Sequence, residues 1–332
     1  MKILFAEVQN WEKETLLKEF PEAGITIEKI TEENADQFHD ITILSTFIYS
    51  TLSANVLQKL TSLKMIATRS TGYDHIDVAY CKENGISICN VPEYGSHTVA
   101  EHTFALILSL TRKIDKAIEQ LRRLEFNHEN LTGIDLFGKT IGIVGLGKIG
   151  LNVLHIAKGF GMKIQVFTAH QKEELAKEHG FSYVDLPTLL STSDVITLHV
   201  PYSQKTHHLI NCENIVQCKK GCFLINTARG GLIETQAIIE GLHNGILSGV
   251  GLDVLEEENE MMEEAEILSQ NKSGFDFKTL LLNHVLLNHP NVVITPHNAF
   301  NSKEALMNIL NTTLQNIKSY NDSAPINCID LR

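Results

Sequence analysis

The chain has 332 residues, of which 43% are hydrophobic and 20% are charged, and its formal net charge is −12. This length allows two domains of ordinary size, and the composition is that of a soluble globular protein. The negative charge, with no cluster of Lys or Arg against it, argues against a nucleic-acid-binding surface. The chain enters a strand at once, without a signal-peptide pattern, and its longest mainly apolar run, residues 103–110, is too short to span a bilayer. We therefore expect a soluble, cytoplasmic protein that binds neither nucleic acid nor membrane.

The first 97 residues alternate between strand and helix patterns. Short apolar runs are separated by helical segments, which predicts a parallel α/β sheet. The predicted strands are residues 3–8, 41–46, 65–68 and 86–91, and the predicted helices are residues 12–20 and 54–60.

A long amphipathic stretch runs from Ser96 to about Leu124. Ser96 suits an N-cap, and apolar side chains recur at helical spacing after it. We predict one connecting helix whose apolar stripe packs on the second lobe or on another subunit. For this reason we expect a homodimer.

A glycine-rich turn follows the β-branched run at residues 140–144. Its glycines are Gly145, Gly147 and Gly150, spaced G-x-G-x-x-G, and residues 151–160 continue as a helix. The first glycine turns the chain, the second lets the backbone approach a pyrophosphate, and the third lets helix and strand pack closely. The helix N-terminus offers free N–H groups to the phosphates. A merely flexible loop is the alternative, but the flanking strand and helix favour a dinucleotide site.

From Lys139 a second alternating series begins, and it predicts a doubly wound sheet. A ligand of such a sheet lies beyond the carboxyl ends of its strands. A final helix, from the N-cap Ser302 to about Tyr320, has no strand left to pair with. The predicted strands of this series are residues 140–144, 163–167, 195–200, 222–226, 250–254 and 292–295.

Three kinds of charged or titratable side chain follow strand ends of this second series. They are Arg229, one of the glutamates that begin the acidic run 256–266, and His297. Hydride transfer to a ketone needs a fixed positive charge on the carbonyl and a proton donor for the alkoxide, which an arginine and a histidine supply. A carboxylate would hold the tautomer of the imidazole and favour its charged form. Taken alone, each side chain also has a purely structural interpretation: the arginine as an ion-pair partner, the histidine as a helix cap and the acidic run as solvated surface. Spacing alone does not say which glutamate points inward.

The six cysteines lie in or beside apolar strands or in loops. Cys218 and Cys222 are spaced C-x-x-x-C downstream of His207 and His208, but no paired zinc-finger spacing is completed. We expect no metal site and reduced, structural cysteines.

With these residues in view, the chain resembles the D-isomer-specific 2-hydroxyacid dehydrogenases over essentially its whole length. Six motifs in the family's order carry the resemblance, which among members is strongest to D-lactate dehydrogenases. The motifs begin at Arg69 (RSTGYDHID), Val99 (VAEH), Gly145 (GLGKIG), Asn226 (NTARGG), Gly251 (GLDVLEEE) and Thr295 (TPHNAF).

The resemblance implies the role of each site residue. Arg229 binds the carboxylate and carbonyl of the keto acid, His297 donates the proton, and Glu258 is the glutamate paired with His297. The backbone at Thr71 and Gly72 holds the substrate carboxylate, and Tyr94 borders the substrate. The implied cofactor-binding residues are Gly145, Gly147, Lys148, Ile149, Gly150, Thr168, His199, Pro201, Thr206, Thr227, Ala228 and Asp253.

The resemblance also implies the domain map. Residues 1–97, completed by 302–332, would form a flavodoxin-like substrate domain, and residues 98–301 a Rossmann nucleotide-binding domain. The active site would lie in the cleft between them.

One position departs from the NAD-specific pattern. In NAD-specific members an acidic residue ends the second strand of the nucleotide domain and binds the adenosine ribose. Here that strand ends at Phe167 and is followed by Thr168, with His170 and Lys172 nearby. The absent carboxylate predicts weak discrimination against NADP. The alternative is that the Thr168 hydroxyl binds the ribose and NAD remains the cofactor.

We therefore expect an NAD(P)H-dependent D-2-hydroxyacid dehydrogenase that interconverts a small 2-keto acid, pyruvate first, and its D-2-hydroxy acid. The alternative enzyme is a glyoxylate or hydroxypyruvate reductase. The alternative of another class is an NAD(H)-sensing, corepressor-like binding protein.

Overall fold

The computed structural model describes residues 2–258 and 277–330. The chain divides into two compact units, Met1–Gly95 with Asn301–Arg332, and Ser96–Phe300. The part of the acidic run beyond Glu258 lies outside the described residues. The substrate and nucleotide roles assigned above to the two domains stay predictions.

The first unit is built on five parallel strands. Their order across the sheet is 2-1-3-4-5 in chain numbering, the flavodoxin-like order. Because alternate residues of a strand face opposite sides, Ile3 and Phe5 enter one core while Leu4 and Ala6 enter the other. The strands are β1 (Ile3–Phe5), β2 (Gly24–Ile25), β3 (Ile43–Thr46), β4 (Met65–Thr68) and β5 (Ser87–Cys89), and the helices are α1 (Asn10–Glu19), α2 (Ala54–Lys59) and α3 (Val78–Glu83).

The last helix returns to this first unit, which is why it has no strand of its own. It spans Lys303–Asn321, and Ser302 caps it by accepting a 3.1 Å hydrogen bond from the Ala305 amide, as predicted. Its apolar face, with Leu310 and Leu314, packs into the core that holds Phe5.

The return also brings two cysteines together. Cys89 at the end of β5 and Cys328 form an isolated antiparallel bridge, with Cα atoms 4.0 Å apart, and their sulfurs are joined as a disulfide. The expectation of reduced cysteines was wrong for this pair, because a separation of 239 residues hides the contact from any local pattern. The thiols of Cys81, Cys212, Cys218 and Cys222 are free.

The second unit is built on seven parallel strands, and the prediction of two parallel α/β sheets is confirmed. Counted from the first strand of this unit, the order is 3-2-1-4-5-6-7, so the two halves diverge between its first and fourth strands. The strands are β6 (Thr140–Val144), β7 (Lys163–Phe167), β8 (Ser182–Tyr183), β9 (Val195–Leu198), β10 (Cys222–Asn226), β11 (Leu247–Leu252) and β12 (Val292–Ile294).

Helices cover both faces of this sheet, and one of them differs from the prediction. The stretch expected as a single helix is two, because Lys113 adopts a left-handed conformation with φ of 52° and breaks it. Ser96 is already inside the first of them. The helices are α4 (Ser96–Arg112), α5 (Ile114–Arg122), α6 (Lys148–Gly159), α7 (Glu173–His179), α8 (Leu186–Thr192), α9 (Thr235–His243) and α10 (Phe277–Leu287); the returning helix Lys303–Asn321 is α11.

Within the described residues, no helix combines the length and the apolar character that a bilayer crossing requires.

Candidate active site

Three neighbouring strands carry the predicted catalytic side chains. β10, β11 and β12 are adjacent in the second sheet. Arg229 follows β10, Glu258 follows β11 and His297 follows β12. Because parallel strands end at the same edge, the topology gathers an arginine, a glutamate and a histidine at one side of the sheet.

His297 and Glu258 contact each other. His297 Nδ1 lies 3.2 Å from Glu258 Oε1, and the two side chains are 29% and 25% exposed. An ionised carboxylate only accepts hydrogen bonds, so Nδ1 carries a proton in this pair. The other ring nitrogen, Nε2, is then the one left to exchange a proton with a ligand.

A buried carboxylate holds the loop that carries His297. Asp253, only 1% exposed, accepts hydrogen bonds from Thr295 Oγ1 (2.5 Å), the Asn298 amide (2.7 Å) and the Ala299 amide (2.8 Å). Burial raises the pKa of Asp253, but the hydrogen bonds from His102, Thr295, Ala299 and Asn298 together outweigh it and hold that pKa below its usual value. Asp253 is therefore ionised at neutral pH.

The same loop holds His297 in an uncommon backbone conformation. His297 has a φ of 48°, in the left-handed region, and its amide donates to the carbonyls of Asp253 (2.8 Å) and Thr295 (2.9 Å). A non-glycine residue takes this conformation only where its surroundings impose it. His102, whose Nε2 lies 2.9 Å from Thr295 Oγ1, completes this support. Sequence analysis had not assigned His102 a role, although it lies in one of the family-like motifs.

The turn after β10 holds Arg229. Asn226 donates through Nδ2 to the Arg229 carbonyl (2.8 Å), and its Oδ1 accepts from the Ala228 amide (3.0 Å). Arg229 Nη1 donates to the Ala228 carbonyl at 2.8 Å. Arg229 is half-buried, so the turn holds a permanent positive charge that is only partly exposed to solvent.

The glycine-rich turn lies where the sheet order reverses, between β6 and β9. Gly145 has a φ of 99°, and a Cβ there would lie 2.7 Å from the His199 carbonyl oxygen of the neighbouring strand end. A Cβ at Gly150 would lie 2.1 Å from the Gly145 oxygen, whereas one at Gly147 would meet nothing within 4 Å. The first and last glycines are thus required by the protein itself, and the middle one faces open space.

This turn fits the pyrophosphate of a dinucleotide. Gly147 is the N-cap of the 12-residue helix α6 and has no side chain to cap it, which leaves the first N–H groups of the helix to a ligand. Burial lowers the pKa of the neighbouring His199, whose ring is therefore neutral and 2.9 Å from Thr197 Oγ1. The remaining predicted cofactor-binding residues also follow strand ends of this unit or begin α6: Lys148, Ile149, Thr168, Pro201, Thr206, Thr227, Ala228 and Asp253.

The predicted substrate residues belong to the first unit. Thr71 follows β4, and its Oγ1 donates to the Val91 carbonyl at 2.6 Å, while Asn90 Nδ2 donates to the Thr71 carbonyl at 2.7 Å. The Gly72 carbonyl accepts from Ser70 Oγ (2.6 Å), and the Tyr94 carbonyl accepts from Asn308. The loops after β4 and β5 are thus tied together.

In the part of the chain that the structure describes, no group of three or more His, Cys, Asp or Glu side chains is arranged to hold a metal ion.

Comparisons with known proteins identify the family. Residues 104–299 match the model of the D-isomer specific 2-hydroxyacid dehydrogenase NAD binding domain. The chain is 36% identical to the D-lactate dehydrogenase of Escherichia coli over 325 residues, covering 96% of each protein. It is also 36% identical to a 2-hydroxyacid dehydrogenase homolog of Zymomonas mobilis over 324 residues, again 96% of each.

Solved structures extend the likeness to the fold. The D-lactate dehydrogenase of Aquifex aeolicus, complexed with NAD and lactic acid, has a TM-score of 0.88 at 34% identity, over 97% of this chain and 96% of that one. The apo D-lactate dehydrogenase of Escherichia coli has a TM-score of 0.84 at 35% identity, over 99% and 100%. This chain therefore belongs to the D-isomer-specific 2-hydroxyacid dehydrogenase family and is an NAD-dependent oxidoreductase.

Proposed function

We propose that the protein reduces pyruvate, or a comparably small apolar 2-keto acid, reversibly to the D-2-hydroxy acid. The His297–Glu258 contact beside the Arg229 turn carries this proposal. The relatives named above support the substrate, as does a likeness to the pyruvate reductase of Chlamydomonas reinhardtii, with a TM-score of 0.87 at 32% identity.

Each of these residues has its own role in the proposed reaction. Arg229 binds the carboxylate and carbonyl of the keto acid, and its fixed charge stabilises negative charge developing on the carbonyl oxygen. His297 gives that oxygen a proton from Nε2, while Glu258 holds Nδ1 and so keeps the ring oriented. The backbone at Thr71 and Gly72 holds the carboxylate of the substrate, and Tyr94 borders it.

The nucleotide is held by the turn at Gly145, Gly147 and Gly150 and by the start of α6. When bound, the reduced nicotinamide supplies the hydride for the carbonyl carbon. The protein contributes binding, orientation and the proton.

A panel of 2-keto acids, each assayed with NADH and with NADPH, tests the substrate. We expect pyruvate to give the highest kcat/KM and D-lactate, not L-lactate, to be oxidised in the reverse direction. A preference for glyoxylate or hydroxypyruvate would move the enzyme to the alternative reductase class. No turnover of any keto acid, with retained NADH binding, would instead favour the corepressor-like alternative.

We also propose that discrimination against NADPH is weak. No carboxylate stands at Thr168, whose Oγ1 accepts from the His170 amide at 3.4 Å, and His170 and Lys172 are exposed beside it. A 2′-phosphate would meet cationic or neutral side chains there rather than a negative one. A preference for NADH of about a thousandfold in kcat/KM, or roughly 4 kcal/mol, would refute this.

Finally, we propose that the protein is a homodimer through α5 and the segment after it. No residue of α5 is buried, and Ile118, Leu121, Leu124 and Phe126 are 46%, 49%, 83% and 85% exposed. Several exposed apolar side chains within one short stretch favour an interaction site. Sedimentation velocity should give a dimer that Leu121→Lys converts to monomer. The control Ile27→Lys, at a residue of the first unit that is 78% exposed, should leave it dimeric.

A further inference from the structure

Glu256 precedes the predicted catalytic Glu258 by two residues, and its carboxylate is buried among groups from two other segments. Its Oε1 lies 2.5 Å from His208 Nε2, and its Oε2 accepts from the Thr235 amide (3.0 Å) and from Thr235 Oγ1 (2.7 Å). Only 13% of its side chain is exposed. The carboxylate therefore joins the turn that carries His208 to the start of α9.

The backbone of Glu256 is fixed as well. Its carbonyl accepts from Nδ2 of Asn283, a residue of α10 with no exposed surface, at 2.8 Å. The next residue, Glu257, has a φ of 54° and turns the chain toward Glu258. Because a non-glycine residue in this conformation is held by its neighbours, the position of Glu258 depends on the anchors on Glu256.

The Arg229 turn rests directly on the same backbone. A Cβ at Gly230 would lie 2.0 Å from the Leu255 carbonyl oxygen and 2.4 Å from the Glu256 nitrogen. Gly230 begins the 3₁₀ turn that follows Arg229, and Gly231 accepts from the His208 amide through its carbonyl at 2.9 Å. Of the two glycines that follow Arg229, the first thus lies against the backbone of Glu256 and the second accepts a hydrogen bond from the His208 amide.

We propose that Glu256, with His208 as its hydrogen-bond donor, is a positioning residue that fixes Arg229 and Glu258 relative to each other. This inference rests on the proposed function of those two residues. From the sequence, the family resemblance paired Glu258 with His297, and neither Glu256 nor His208 received a role. In the structure, Glu258 contacts His297, whereas Glu256 contacts His208 and Thr235.

A misplacement of reacting groups by about 1 Å can cost 100-fold in rate. We therefore expect Glu256→Ala to lower kcat with the preferred keto acid by at least about tenfold and to raise its KM. The dissociation constant for NADH, measured by fluorescence titration, should change by less than about threefold, because the hydrogen bonds of Glu256 go to His208, Thr235 and Asn283 and not to the glycine-rich turn. Kinetics are normalised to NADH-binding sites, so that loss of folded protein does not count as loss of rate.

A pair of variants at His208 tests the same contact if Glu256→Ala fails to fold. His208→Leu removes the donor and should lower kcat about tenfold, whereas His208→Gln offers an amide N–H to Glu256 and should stay within about threefold of the parent. The matched control is His243→Leu: His243 is an exposed histidine in the last turn of α9, so this variant should keep the parent kcat.

Equal kcat in the leucine and glutamine variants at His208, or an unchanged kcat in Glu256→Ala, would overturn the inference while leaving the proposed function in place. A parent enzyme without turnover on any keto acid would instead overturn the proposed function, and the inference with it.

Discussion

Replacing Asp253 with asparagine tests whether a buried carboxylate builds the loop that carries His297. The aspartate receives three hydrogen bonds of 2.5–2.8 Å from that loop, and it is 1% exposed. Asparagine has the same shape but only one acceptor oxygen. Its amide group must therefore face one of the donors, and the structure offers Ala299 N–H on the Oδ2 side.

The magnitude follows from this count. A buried N–H left without an acceptor costs about 1–3 kcal/mol, and each of two charge-assisted bonds that becomes neutral loses about 1 kcal/mol. The sum is about 4 kcal/mol of unfolding free energy. For a unit of this size 1 kcal/mol corresponds to about 2–4 °C, so the melting temperature should fall by about 10 °C. Turnover should fall at least about tenfold, because His297 loses the frame that holds it.

The assay is thermal unfolding followed by circular dichroism, from neutral to acid pH, beside steady-state kinetics. The folded-state pKa of Asp253 lies below its usual value, so its contribution to stability is fully present above the unfolded-state pKa of about 4. That contribution is lost as the pH falls through the lowered pKa. The difference in melting temperature between the parent and Asp253→Asn should therefore be constant near neutral pH and shrink below about pH 4.

The control is Asp322→Asn, at an exposed aspartate after α11, which should change the stability by less than about 0.5 kcal/mol. The reasoning is refuted if Asp253→Asn melts within about 2 °C of the parent and retains its turnover. If this difference in melting temperature does not change down to pH 3, only the claim that the charge of Asp253 contributes to stability is refuted.

The remaining predictions concern the proton donor and the nucleotide turn. His297→Gln should lower kcat at least about 100-fold and leave NADH affinity nearly intact; near-normal turnover in steady-state assays would remove His297 from the mechanism. Glu258→Gln keeps the size of the side chain but not its charge and should lower kcat about tenfold or more, and an unchanged kcat would contradict its pairing with His297. Gly147→Ala should weaken NADH binding at least about tenfold without changing the melting temperature, because only the ligand needs that space. Gly150→Ala should lower the melting temperature by several degrees, because its Cβ would collide with the Gly145 oxygen; equal melting temperatures of the two variants would show that the turn is misunderstood.

Local patterns were reliable where one physical rule dominated. Strands buried on both faces, such as those at residues 140–144 and 222–226, have continuous apolar runs that few other structures tolerate. The two-residue strands Gly24–Ile25 and Ser182–Tyr183 were missed, because pairing with a neighbouring edge, not their own sequence, makes them strands. The single helix expected from Ser96 to about Leu124 was wrong, since a hydrophobic period does not reveal that one residue, Lys113, leaves the helical conformation.

The sequence by itself determined the fold class, the glycine-rich turn and the candidate residues at the strand ends, because period, glycine spacing and residue type are local properties. The family resemblance also paired Glu258 with His297, and the structure shows that contact. Only the tertiary structure decided that Glu256 meets His208 and Thr235 and that Cys89 meets Cys328. These contacts join residues far apart in the chain, and they arise from the order of strands in a sheet and the return of the last helix. Neither the order nor the return is encoded in any short stretch, since both minimise the free energy of the whole domain.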